Sequence, residues 1–119
     1  MNYKFIAMTG MFIFSGTVSA VTIEQYIAAS PALSSRPAIV AAIKKEARAQ
    51  AISDRESGIG LADFVRKAIH EKGEYYGRLA VRETAYFCQK QMLDIPRLNA
   101  NECKIVTEEE ARISTAENS

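Results

Sequence analysis

Apolar side chains in this chain recur every three or four residues, and nowhere do they alternate over a useful length. That spacing collects them on one face of a helix, whereas a half-buried strand needs a period of two. The expected fold is therefore all-α, a small helical bundle of about four helices. Leu61 to Lys72 is the clearest case. Leu61, Phe64, Val65, Ala68 and Ile69 follow the helical pattern, and Asp63, Arg66, Lys67, His70 and Glu71 are left for the wet face.

Punctuation residues divide the rest. Thr22-Ile23-Glu24-Gln25 has the form of a capping box and predicts a short helix carrying Ile23, Tyr26 and Ile27. Pro31 ends it. Ser34-Ser35-Arg36-Pro37 predicts a serine-capped second helix with proline in its first turn. That helix should run to about Ile52, with Ile39, Ala42, Ile43, Ala47 and Ala51 as a narrow apolar stripe. Alanine favours helix but buries little area, so close packing is expected. Ser53 to Gly60 reads as a loop, and it lacks the Gly-Lys-Ser/Thr ending of a phosphate loop.

Gly73 suits the C-terminus of the helix over 61–72. Glu74 to about Leu93 is the longest helical stretch. Its apolar positions (Tyr76, Leu79, Ala80, Val81, Ala85, Phe87, Cys88, Met92) cover so much of its circumference that it should be the central helix. Gly77 inside it costs about 1 kcal/mol against alanine and predicts a close helix approach. Asp94-Ile95-Pro96 ends that helix, and Thr107-Glu108-Glu109-Glu110 reads as a second capping box opening a short final one.

The first twenty residues, MNYKFIAMTGMFIFSGTVSA, follow a different logic. Lys4 precedes an apolar run from Phe5 to Phe14, and Val18-Ser19-Ala20 closes the segment with small residues. This is the pattern of a cleavable secretory signal. An apolar run of about ten residues is too short to cross a bilayer core as a helix. The expected organisation is a signal peptide over 1–20, one helical domain over 21–113 and a flexible tail over 114–119. No stable membrane span is expected in the mature form.

Cleavage after Ala20 would leave 99 of the 119 residues, with 14 basic and 14 acidic side chains. That balance excludes the strongly basic surface that drives unspecific nucleic-acid binding. Cys88 and Cys103 both remain, and in an exported chain an even pair points to a disulfide.

Chemistry-bearing sets are sparse. His70 is the only histidine and falls on a polar helix face. No G-x-S-x-G elbow, H-E-x-x-H or EF-hand pattern occurs. No catalytic residue, metal site or cofactor is therefore expected. The most distinctive local group is Tyr75, Tyr76, Arg82 and Tyr86, because tyrosine and arginine are the types that anchor interfaces.

The frame of signal peptide, alanine-rich helices and one cysteine pair resembles that of several groups of small exported bacterial proteins. These are periplasmic acid-stress chaperones, immunity proteins against secreted cell-wall toxins, and accessory proteins of conjugation systems. None of their motifs can be placed on these residues, and acid-stress chaperones space their cysteines much farther apart. The function expected is that of a periplasmic or secreted non-catalytic protein binding another exported protein. The alternatives are a small envelope-active toxin, or an envelope hydrolase working through Glu74 or Glu83.

Overall fold

The computed structural model describes residues 21–55, 60–90 and 98–118. These form α1 (Ile23–Ala28), α2 (Pro31–Ser34), α3 (Pro37–Ser53), α4 (Leu61–Glu71), α5 (Gly73–Gln89) and α6 (Ala100–Glu117). The class is all-α, with six helices among the described residues rather than about four. The only β pairing there is an isolated parallel bridge between Val21 and Lys72. Among the described residues no helix is long and apolar enough to cross a membrane. The expected signal segment, Met92, Leu93 and the Asp94-Ile95-Pro96 break lie outside the described residues.

The capping box at Thr22 forms as expected. Thr22 Oγ1 accepts from the Gln25 N–H at 3.0 Å, and Gln25 Oε1 accepts from the Thr22 N–H at 2.9 Å. Pro31, read only as a stop, is also a start. Its fixed φ suits a first turn, and Ser30 Oγ caps α2 by accepting from the Leu33 N–H at 3.2 Å. The serine cap expected for α3 does not form. Ser34 and Ser35 donate backward to the carbonyls of Ser30 and Ala32, at 2.9 and 2.8 Å, and Arg36 occupies the cap position without a side-chain bond.

Gly73 opens α5 instead of closing α4, and Lys72 serves as the junction of both helices. The reason is a backbone crossing. The Gly73 N–H donates to the Val21 carbonyl at 2.7 Å, and a Cβ on Gly73 would stand 2.1 Å from the Thr22 carbonyl carbon. Gly77 does permit a close approach: its missing Cβ would lie 2.4 Å from Cδ2 of Tyr26, so the tyrosine ring lies flat against α5.

The last helix departs most from expectation. Thr107 lies in mid-helix, and the working cap is Asn99. Asn99 Oδ1 accepts from the Glu102 N–H at 2.8 Å, while Glu102 Oε1 accepts from the Asn99 N–H at 3.0 Å. Once those two bonds start the helix eight residues earlier, Thr107 has no free end to cap. The helix also passes the expected boundary at 113 and runs to Glu117. Glu110, Ser114 and Glu117 stand one turn apart, and all three bond to Arg78 of α5.

Helix α5 is the centre of the molecule, packing against α1, α3, α4 and α6. The stripe read from α3 is the one buried: Ile39, Ala42, Ile43, Ala47 and Ala51. Ala80, Val81 and Ala85 face it from α5, and all are essentially inaccessible. Leu61 is the exception on α4, 43% exposed in the first turn. The Cys88 and Cys103 sulfurs lie at disulfide distance, with Cα atoms 5.6 Å apart, joining the end of α5 to the first turn of α6. Closing a loop of about 15 residues contributes about 3 kcal/mol in the chain-entropy account. Small alanine contacts alone would leave little excess stability.

Candidate functional site

Two surfaces gather the polar and aromatic side chains. The first is the outward face of α5. Tyr75, Arg82 and Tyr86 are seven and four residues apart and so line one side of the helix. Tyr75 is 56% and Tyr86 48% exposed, and Arg82 is exposed as well. Tyr76 lies about 100° further round the helix: it is 3% exposed and sits in the core, its ring edge-on to Tyr75 with centroids 4.9 Å apart.

The ribbon continues past the helix end. The ammonium of Lys90 stands 5.7 Å from the centroid of the Tyr86 ring, within cation–π range. Phe87 packs edge-on against Tyr86 at 6.1 Å and fixes its direction. At the other end, Asp54, Phe64, Lys72, Tyr75 and Tyr76 line an open depression of about 480 Å³. The face therefore combines two half-exposed aromatic rings, two cations and an open recess.

The second surface is an open cleft of about 580 Å³ between α1, α5 and α6, lined among others by Val21, Tyr26, Leu33, Glu74, Arg78, Glu109, Arg112, Ile113 and Glu117. Apart from Glu74, its charges are occupied with one another. Arg78 donates to Glu110, to Glu117 at 2.8 Å and to Ser114 at 2.9 Å. Burial opposes the Arg78 charge, but the bonds from Glu117 and Glu110 outweigh it and hold its pKa above the ordinary value. Arg112 pairs with Glu109 at 2.5 Å, and Ser30 donates to the same carboxylate at 2.8 Å. The Arg112 bond holds Glu109 below the usual carboxylate range, against burial and with help from Ser30. Burial pushes the Tyr26 hydroxyl above its ordinary value.

The Arg78 and Glu109 shifts are the marks of structural ion pairs, each explained by a neighbour that ties two helices or two turns together, and the Tyr26 shift is one of burial. The remaining candidates lie apart. Glu74 lines the cleft, whereas Glu83 acts on Glu46 of α3, whose carboxyl is raised mainly by burial, with Glu83 adding to it and a Gln50 bond opposing. His70 sits on the surface among Asp63, Arg66, Lys67 and Glu71. No group of three metal-ligating side chains occurs among the described residues.

Of the four residues singled out in the sequence, the fold aligns Tyr75, Arg82 and Tyr86 and buries Tyr76, and the cleft was not anticipated. The signal was available in part. Glu110, Ser114 and Glu117 share one face of any helix that contains them, and such a face calls for a cation. Placing Arg78 opposite required the tertiary fold. Comparisons with protein-family models, with curated proteins and with solved structures found no match to this chain.

Proposed function

We propose that this is an exported, non-catalytic protein whose outward α5 face binds an acidic segment of another exported protein. The observation that carries the reading is the ribbon Tyr75–Arg82–Tyr86, extended by Lys90. Exposed aromatic rings on a helix offer contact area at small entropic cost, and arginine beside them adds directed donors. Arg82 and Lys90 give the ribbon a positive field, which favours a carboxylate-rich partner and a salt-sensitive association rate. Tyr76, buried, supports the ribbon from below instead of touching a partner. An immunity or inhibitor protein, or an accessory protein of a secretion or conjugation system, would use such a face.

Export is supported by the first twenty residues and by a cysteine pair able to form a bridge. The test is native co-purification from the periplasmic fraction. The wild-type protein should recover a stoichiometric exported partner, Arg82→Glu and Tyr86→Ala should lose it, and Arg66→Glu, on α4, should keep it. Failure to recover any partner at physiological salt, or equal recovery by all variants, would overturn the proposal.

A further inference from the structure

We propose that cleavage after Ala20 seats the new α-ammonium group of Val21 at the carbonyl end of α4, beside Glu74 at the rim of the cleft. Processing would thus complete the fold as well as release it. The inference rests on the export reading, and its test separates the two.

The cut after Val18-Ser19-Ala20 falls one residue ahead of the Thr22 cap, so no helix residue is lost with the leader. Val21 is already held. It pairs with Lys72, and its carbonyl accepts the Gly73 N–H at 2.7 Å. Gly73 lets this strand-like segment press onto the α4–α5 corner, because any Cβ there would meet the backbone of Thr22 and Ile23 within 2.5 Å. Covalent geometry keeps the Val21 nitrogen within about 4 Å of its own carbonyl oxygen. The nitrogen therefore lies at that corner, where α4 ends at Glu71 and its last carbonyls carry partial negative charge; α5 also starts there with the opposite partial charge, but its first N–H, on Gly73, is engaged by the Val21 carbonyl.

The surrounding charges leave room for one cation. Glu74, in the first turn of α5, lines the same cleft as Val21, and no ion pair among the described residues engages it. The cleft's own cations are taken: Arg78 by Glu110 and Glu117, Arg112 by Glu109. Lys72 lines the separate depression with Asp54 and Tyr75, and Glu71 lines the one with His70. An ammonium created at Val21 meets Glu74 and the α4 end without displacing a partner.

An α-amino group titrates near 7.7–8.0 when free. Seated beside negative groups its pKa is raised. Its contribution is then complete below about pH 8 and is lost as pH rises through the raised value. The charged and titratable groups lining the cleft at the seat are Glu74 and Arg78 on α5, Glu109, Arg112 and Glu117 on α6, and Tyr26 on α1; Lys72 pairs with Val21 through its backbone and lines the separate depression. Tyr26 also titrates in alkali, so the measurement compares two chains that share it.

First, the amino-terminal sequence and intact mass of the exported protein are determined; the mature chain should begin at Val21. Second, a chain beginning at Val21 is compared with one retaining Ser19-Ala20, both released from a fusion without extra residues. The retained dipeptide should lower Tm by about 2–6 °C at pH 6.5, with the gap closing by about pH 10.5. Glu74→Gln should narrow the gap at pH 6.5. A processed chain with a different start overturns the seat and leaves export standing, whereas an unprocessed chain retained inside the cell overturns both. No gap, or one equal at both pH values, overturns the ammonium's role.

Discussion

Replacing Gly73 by alanine is the sharpest test of how the α4–α5 corner is built. The added Cβ would stand 2.1 Å from the Thr22 carbonyl carbon, 2.3 Å from the Ile23 nitrogen and 2.5 Å from the Thr22 oxygen. Ordinary contact begins at about 3.4 Å, so α1 must retreat by more than about 1 Å. All three atoms are backbone, so no side chain can swing aside. A retreat of that size stretches the 2.7 Å Gly73–Val21 hydrogen bond past its useful range, a loss of about 1 kcal/mol. It also lifts buried Ile23 and Ile27 from their neighbours, and overpacking of this kind costs about 1–3 kcal/mol. The sum is about 2–4 kcal/mol, a large share of the stability of a small domain.

Gly77→Ala provides the internal control. Its Cβ would meet the Tyr26 ring at 2.4 Å and its Cγ at 2.8 Å, so the whole side chain must swing about χ1, which a side chain can do where backbone cannot, and alanine gains about 1 kcal/mol of helix propensity in mid-helix. Its net cost should stay below about 1.5 kcal/mol. Urea denaturation followed by far-UV circular dichroism reads both variants. Gly73→Ala should shift the midpoint by at least twice as much as Gly77→Ala, without a change in slope. Equal midpoints, or a stabilised Gly73→Ala, would refute the crossing as the reason for that glycine.

Reduction of the Cys88–Cys103 bridge, or Cys88→Ser with Cys103→Ser, should lower Tm by about 12–20 °C from the loop-entropy contribution of about 3 kcal/mol; two free thiols in the non-reduced mature protein would contradict the bridge. Glu109 is held below its ordinary pKa, so the stability it contributes is present above the unfolded carboxylate value of about 4.5 and is lost as pH falls through the depressed folded value. Thermal melts between pH 7 and pH 3 should therefore fall less steeply for Glu109→Gln than for the wild type. Arg78→Gln should speed amide hydrogen exchange over residues 113–117 while leaving 100–106 protected, since Arg78 holds only the later turns of α6. Tyr76→Ala should destabilise by about 3–5 kcal/mol, whereas Tyr75→Ala should stay within about 0.5 kcal/mol, as chemical denaturation of each would show.

Helical class, the buried stripe of α3 and the centrality of α5 were legible because local periodicity determines them. Ile39, Ala42, Ile43, Ala47 and Ala51 can face only one way once the segment is a helix. Where the reading failed, the deciding partner was distant in sequence. Gly73 looked like a helix end because nothing local shows that Thr22 will cross it. Thr107 looked like a cap because Asn99 and Glu102 form the competing box in a segment that reads as loop. The final turns of α6 looked like a tail because their cation, Arg78, lies 32 to 39 residues away. The ribbon was visible as composition, but only the fold divides Tyr75 from Tyr76 and aligns Tyr75 with Arg82 and Tyr86.

If the α5 face binds as proposed, it meets its partner outside the cell's cytoplasm. Site-specific photo-crosslinking in living cells tests it most directly, with the crosslinking residue placed in turn at 75, 82 and 86 and, as controls, at Arg66 and Lys104, which are exposed on other helices. One adduct of defined mass, to an exported acidic protein, is expected from the three α5 positions and from neither control. No adduct from the α5 positions, or the same adduct from all five, would contradict the proposal.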